Sequence, residues 1–227
     1  MMVVLEVEKK EAFETQKIVS AEEFEAQKSK EEATKLASQA LQSVAESNKI
    51  LEVTLLEVQK LKKDHISEIK SLSNPPRALK VILGGIVILN LETIKKAGGN
   101  IIMKNLDLGK KEEDYFETAK RHLLNDASWL LDLLMHYNKN NIPQALIQRL
   151  EQKIMPDPDF TLERAKTCST AIQYFFLWIK AMYDYNKVYL ETKPLRDQLE
   201  ATQKLLEEKT KYLKEKKDML DKVNAKI

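Results

Sequence analysis

The sequence predicts an all-α protein: a long antiparallel coiled coil carrying a small helical-bundle domain at its far end. Three observations carry this prediction. All six prolines (75, 76, 143, 156, 158, 194) and all five glycines (84, 85, 98, 99, 109) fall between residues 75 and 194. Gly costs ~1 and Pro ~3 kcal/mol inside a helix. The 74 residues before this window and the 33 after it therefore read as long uninterrupted helices. Both tryptophans, Trp129 and Trp178, lie in the middle, whereas the flanks repeat apolar residues at coiled-coil spacing. The organisation is a first coil helix over residues 1–72, an insert over 73–187 and a second coil helix over 188–227.

In the first flank a 4-3 spacing runs Ala37, Leu41, Val44, Asn48, Leu51, Leu55, Val58, then Lys62, His65, Ile69, Leu72. This seam degrades at Lys62 and His65, where the apolar residues sit one place aside at Leu61 and Ile66. The second flank has Leu199, Leu206, Leu213, Leu220 and Ile227 at sevens, with Leu205, Tyr212 and Met219 as a neighbouring row. Such doubled rows serve either as one wide apolar stripe or as a coil able to sit in more than one register. At 1.5 Å per residue the arms span ~108 Å and ~60 Å. Folded back on each other from residues 72 and 188, the shorter would end opposite about residue 35, with the first ~35 residues unpartnered.

Within the insert, Asn74-Pro75-Pro76 ends the first arm, because neither proline can donate a backbone hydrogen bond and Pro76 pushes Pro75 out of the helical region. Helix restarts near Arg77 through LKVILGGIVIL, whose apolarity on all sides predicts burial, with Gly84-Gly85 as a close helix–helix contact. Residues 92–113 hold the other three glycines and many lysines and read as a solvated loop. Helices are expected at about 114–124, 126–137 with Trp129, Leu130, Leu133 and Leu134 inward, 143–154, and 161–187. Tyr174, Phe175, Trp178, Ile179, Met182 and Tyr185 are expected to form core and seam.

Composition excludes several classes. The 227 residues carry 37 Lys+Arg against 35 Asp+Glu, which argues against a nucleic-acid binder driven by bulk charge. One cysteine, Cys168, cannot close an intrachain disulfide, so a reducing intracellular compartment is expected. The opening MMVVLEVEKKE turns charged too early for a secretory signal, and no 18-residue apolar run suggests a membrane span. His65, His122 and His136 share no metal spacing, Cys168 has no histidine near it in sequence, and no GxxxxGK[ST] loop occurs. No catalytic, cofactor or metal residues are assigned.

The runs DHISEIKSLSNPPRALKVI at 64–82, WLLDLLMHYNKNNIP at 129–143, DPDF at 157–160, CSTAIQYFFLWIKAM at 168–182 and KPLRDQL at 193–199 together resemble the stalk and microtubule-binding domain of dynein heavy chains. HYNKNNIP is similar to the YDKDNIP of axonemal chains, and the long 92–113 segment points the same way. Asn138 and Asn140 stand where aspartates are usual in that motif. The resemblance implies an antiparallel coiled-coil stalk with a helical tip that grips α/β-tubulin in the axoneme of a cilium or flagellum. It also implies that sliding between the coil helices carries information to the rest of the heavy chain, where any ATPase resides. A hinge-type DNA-organising protein and a plain coiled-coil scaffold are the alternatives; the first should be strand-rich, and the second has no use for the insert.

Residues 75–187 carry 16 Lys+Arg and 13 Asp+Glu, so attraction to acidic tubulin must come from placement. The resemblance puts the first and last tip helices on the microtubule and matches Lys80 to a motif lysine. Arg77, Lys120, Arg121, Arg149, Arg164, Lys166 and Lys180 are expected contributors by charge and helix position.

Overall fold

The computed structural model describes residues 2–106 and 110–224. The element order is α1 (Met2–Val58), α2 (Lys63–Ser71), α3 (Arg77–Leu89), α4 (Leu91–Lys96), β1 (Ile102–Asn105), β2 (Lys111–Asp114), α5 (Tyr115–His122), α6 (Ala127–Met135), a 3₁₀ turn (Lys139–Asn141), α7 (Gln144–Lys153), α8 (Leu162–Cys168), α9 (Thr170–Glu191) and α10 (Lys193–Asn224). The chain divides into two compact units, one of Met1–Val44 with Leu190–Ile227 and one of Ala45–Tyr189.

The first unit is a pair of long antiparallel helices. Lys217 Nζ lies 3.7 Å from Glu23 Oε1, and the groove between the helices is lined by Glu23, Ala26, Gln27 and Ala33 on one side and Leu199, Leu206 and Leu213 on the other. Pairing thus continues well below residue 35, contrary to the length argument. The reason is that the first helix stops at Val58 rather than 72, so the returning helix reaches further along it.

The seam of α1 also differs from the expected one. Residues 33, 37, 40, 44, 47, 51, 54 and 58 are buried or half-buried, again at 4-3 spacing, with Leu51 and Val58 fully enclosed. This series shares Ala37, Val44, Leu51 and Val58 with the expected one but sets Ala40, Ser47 and Thr54 in place of Leu41, Asn48 and Leu55. Asn48 and Leu55 stay half-buried at the edge of the seam, whereas Leu41 is 54% exposed. In α10, Leu199 and Leu206 are half-buried and Leu213 buried, whereas Leu205 and Tyr212 face out. Among the described side chains of the two rows, only Leu199, Leu206 and Leu213 turn inward; the expectations for the side chains of Met219 and Leu220 and for Ile227 lie outside the described residues.

Residues 59–62 break the arm where the expected seam fell on lysine and histidine. The Lys62 N–H donates to His65 Nδ1 at 3.3 Å as α2 begins, so His65 starts a helix rather than filling a coil slot. The break lets Leu61, Ile66 and Ile69 turn inward.

The second unit is built around α3, against which α5, α7 and α8 pack. From Ile82 to Leu89 every residue of α3 is buried. Gly84 and Gly85 permit this: a Cβ on Gly84 would stand 2.9 Å from Ile154 Cδ1, and one on Gly85 would stand 2.7 Å from Ile179 Cδ1. Phe175, Trp178, Ile179, Met182 and Tyr185 are buried as expected, with Tyr174 half-buried, and Trp178 Nε1 donates to the Leu134 carbonyl at 3.1 Å.

Three expectations are corrected here. The solvated loop at 92–113 contains helix α4 and an antiparallel hairpin pairing Ile102 with Asp114 and Asn105 with Lys111. The Ile102 N–H donates to Thr118 Oγ1 at 2.9 Å, tying the hairpin to α5. The helix at 161–187 is two helices, because Ser169 is extended and its Oγ accepts from the Ile172 N–H as α9 begins. Trp129 is 38% exposed, since α6 buries Leu130 and Leu134 and places Trp129 off that stripe.

Candidate functional site

The first turn of α3 follows Pro75-Pro76 and presents Arg77 and Lys80 one turn apart, both exposed. A cation at a helix N-terminus opposes the helix dipole. Carboxylates from a neighbouring turn offset it: Arg77 Nη2 meets Asp157 Oδ2 at 2.8 Å and Arg77 Nη1 meets Asp159 Oδ2 at 3.6 Å. That turn is held by the Asp159 N–H donating to Asp157 Oδ1 at 2.9 Å and by Phe160, whose ring packs on Phe176 at 4.7 Å.

Asp159 also takes Arg164 Nε at 3.6 Å. Thr161 caps α8 by accepting from the Arg164 N–H, so Arg164 projects from a second exposed helix start, while Lys166 is exposed in the last turn of α8. The DPDF turn therefore brings the opening residues of α3 and α8 together. Arg77, Lys80 and Asp157 also line a cleft of about 450 Å³ with Lys104, Glu112 and Lys153.

Glu113 of β2 closes the other side of that cleft. It receives Tyr115 Oη at 2.6 Å, Lys153 Nζ at 2.6 Å and the Arg149 guanidinium. Burial works against its charge, but the hydrogen bonds from Lys153, Tyr115 and Arg149 hold its carboxyl down to about 2, while burial and Glu113 push the Tyr115 hydroxyl up to about 12. Arg149 is half-buried and turned to Glu113. Lys120 lies over the Phe116 ring at 5.8 Å, Arg121 is exposed on α5, and Lys180 pairs with Asp184 at 2.8 Å. Sequence reasoning missed Lys104 and Lys153 as cleft residues; the four-residue spacing of Arg149 and Lys153 in α7 is a signal for Lys153, and none exists for Lys104.

The loop between α6 and α7 is anchored at three points. Tyr137 Oη donates to the Leu89 carbonyl at 2.7 Å and its ring stands edge-on to Trp178 at 5.2 Å. Lys139 Nζ donates to Asn48 Oδ1 of α1 at 2.7 Å and sits 5.2 Å from the Tyr185 ring. Tyr185 Oη donates to Asn140 Oδ1 at 2.6 Å.

Among the described residues, no group of three or more His, Cys, Asp or Glu could hold a metal, and no helix is long and apolar enough to cross a membrane. Paired long helices and a helical domain with clustered cationic helix starts define an interaction module. The whole chain, residues 1–227, matches the family model described as the microtubule-binding stalk of dynein motor, and the protein belongs to that family. It is a non-catalytic region of the dynein heavy chain. Similar curated proteins include dynein axonemal heavy chain 3 of Mus musculus, 28% identical over 96% of this chain, and dynein axonemal heavy chain 1 of Rattus norvegicus, 29% identical over 95%. The chain spans about 5% of the length of each. A solved structure described as the microtubule binding domain of dynein-C aligns with a TM-score of 0.53 at 26% identity, covering 68% of this chain and 94% of that one.

Proposed function

We propose that this stalk binds α/β-tubulin through the exposed helix starts of α3 and α8, and that the register of its paired helices sets how tightly it does so. The observation that carries the binding face is the convergence of Arg77 and Arg164 on Asp159, with Lys80 exposed one turn further along α3 and Lys166 exposed in the last turn of α8. An acidic lattice attracts such a face and competes with Asp157 and Asp159 for the two arginines. Lys120, Arg121 and Lys180 supply flanking positive charge. Arg149 contributes through Glu113, positioning the hairpin.

Support for the register reading comes from the apolar rows that this packing leaves in water, Leu41 on α1 and Leu205 and Tyr212 on α10. If two registers differ by a few kcal/mol, tubulin shifts their populations by as much as its differential affinity for the two, and no more. The coupled partner is the remainder of the dynein heavy chain, and the axoneme of a cilium or flagellum is its proposed location.

Microtubule co-sedimentation across a salt series tests the face. Binding should weaken as salt rises, because exposed ionic contacts are screened over ~8 Å at physiological strength. Lys80→Glu should weaken binding on the order of tenfold with unchanged thermal unfolding, since Lys80 is exposed. A folded Lys80→Glu protein that pellets like the parent removes α3 from the interface.

A further inference from the structure

We infer that Lys139 is a positioning residue that reads coil register, with Asn48 and Glu52 of α1 as its alternative acceptors. This inference rests on the register reading above. Lys139 is half-buried, and its ammonium is directed at α1 across 91 residues of sequence and lies 5.2 Å from the ring of Tyr185, which is 3% exposed. A half-buried ammonium needs an acceptor at each resting position of the helix that slides past it. Along that face of α1, Val44 lies one turn before Asn48 and offers no side-chain acceptor. Glu52 lies one turn after and is exposed.

A displacement of α1 by four residues, ~6 Å along its axis, has two consequences that agree. It puts Glu52 where Asn48 now stands. It also replaces the observed seam of 33, 37, 40, 44, 47, 51, 54 and 58 by 37, 41, 44, 48, 51, 55, 58 and 62, the leucine-rich 4-3 series of this helix, with Lys62 at its end in the slot of Val58. Leu41 then takes the slot of Ala37, Leu51 that of Ser47 and Val58 that of Thr54. The same step that gives Lys139 a charged acceptor thus buries Leu41, now left outside, and exchanges two hydroxyl side chains in the seam for apolar ones, against Asn48 in the slot of Val44 and Lys62 in that of Val58.

The loop is also placed to pass the position on. Asn140 is tied to Tyr185, and Tyr137 is tied to the carbonyl of Leu89, the last residue of the helix whose first turn bears Arg77 and Lys80. Moving the acceptor therefore loads the far end of the proposed binding helix through the Lys139–Asn48 and Tyr137–Leu89 hydrogen bonds and the short backbone link between Tyr137 and Lys139.

The test measures register directly in the 227-residue chain with Cys168 replaced by serine. Glu23→Cys/Lys217→Cys reports the observed register, because Glu23 now faces Lys217. Gln27→Cys/Lys217→Cys reports the displaced one. A short thiol cross-linker gives the ratio of the two yields. Asn48→Glu should raise the ratio in favour of the observed register about three- to tenfold, since a carboxylate replaces a neutral amide oxygen as acceptor of the ammonium. Glu52→Gln should move it the same way, and Lys139→Met should bring both variants within about twofold of the parent sequence in that background. Lys139→Gln, which keeps a donor, serves if the methionine variant unfolds by circular dichroism. An equal response to Asn48→Glu with and without Lys139, or none in either, overturns the role of Lys139 while leaving two registers intact. If Gln27→Cys/Lys217→Cys never cross-links while Glu23→Cys/Lys217→Cys does, the two-register reading fails and the role of Lys139 with it.

Discussion

Helix α3 and the paired arms solve opposite packing problems. In α3, ten of thirteen residues are buried, and two glycines admit side chains so closely that a methyl group would overlap them. Over residues 10–44 of α1, the buried side chains among those described are Val19, Ala37 and Ala40, and Phe13 and Phe24 are 70% and 73% exposed. Interlocking of the first kind has one low-energy arrangement, because displacement by one residue creates both overlaps and voids. A seam of small side chains facing Leu199, Leu206 and Leu213 resists displacement far less. The domain that must present a fixed face is therefore built from the first kind of contact, and the arms that are proposed to slide are built from the second.

Substitutions sharpen that contrast in order of expected effect. Trp178→Ala removes a fully enclosed indole and its bond to Leu134, and should destabilise the residue 45–189 unit by ~3–5 kcal/mol in denaturant unfolding followed by circular dichroism. Loss of well under ~1 kcal/mol would show that the core around α9 tolerates voids as the arms do.

Glu113→Gln should cost ~1.5–3 kcal/mol at neutral pH, since it weakens hydrogen bonds to charged groups. The folded-state carboxyl is depressed from 4.5 to about 2, so its stabilisation is present above pH ~4.5 and is lost as pH falls toward 2. Parent and variant stabilities should therefore converge over that window. A gap that persists unchanged at pH ~2 would mean that shape rather than charge holds the hairpin.

Ala37→Leu should change stability by less than ~1 kcal/mol, in either direction, because the loose seam accommodates added methylenes that α3 could not. A penalty of several kcal/mol would place the arms in the same packing class as α3 and remove the contrast.

Much of this contrast was legible in sequence. The helix–insert–helix order followed from where Gly and Pro fall, burial of α3 from its unbroken apolar run, and the glycine contact from Gly84-Gly85. What escaped has physical reasons. The break at 59–62 contains neither Gly nor Pro; it arises because Leu61 and Ile66 are drawn into a core that local propensity does not see. The hairpin strands are four residues each, and β2 is KEED, whose charges hide it. Trp129 reads as inward beside Leu130, Leu133 and Leu134, whereas Leu130 and Leu134 define the buried stripe.

Of the candidate site, the charges of α3 and α8 could be named from sequence, but not that Asp157 and Asp159 would draw them together, nor that Arg149 would turn to Glu113. Those pairings join residues far apart in the chain and exist only once α7 and α8 pack on α3. The expected α1 seam is a valid 4-3 series that this packing uses only in part, at Ala37, Val44, Leu51 and Val58.

The central claim is that coil register sets microtubule affinity. Its most direct test is the dissociation constant for microtubules of the cross-linked Glu23→Cys/Lys217→Cys and Gln27→Cys/Lys217→Cys proteins, each purified after reaction and measured at one salt concentration. The account predicts affinities that differ by tenfold or more, about 1.4 kcal/mol, with the uncross-linked chain between them. Two locked proteins that bind microtubules equally would contradict it and leave the second apolar row as broad packing surface.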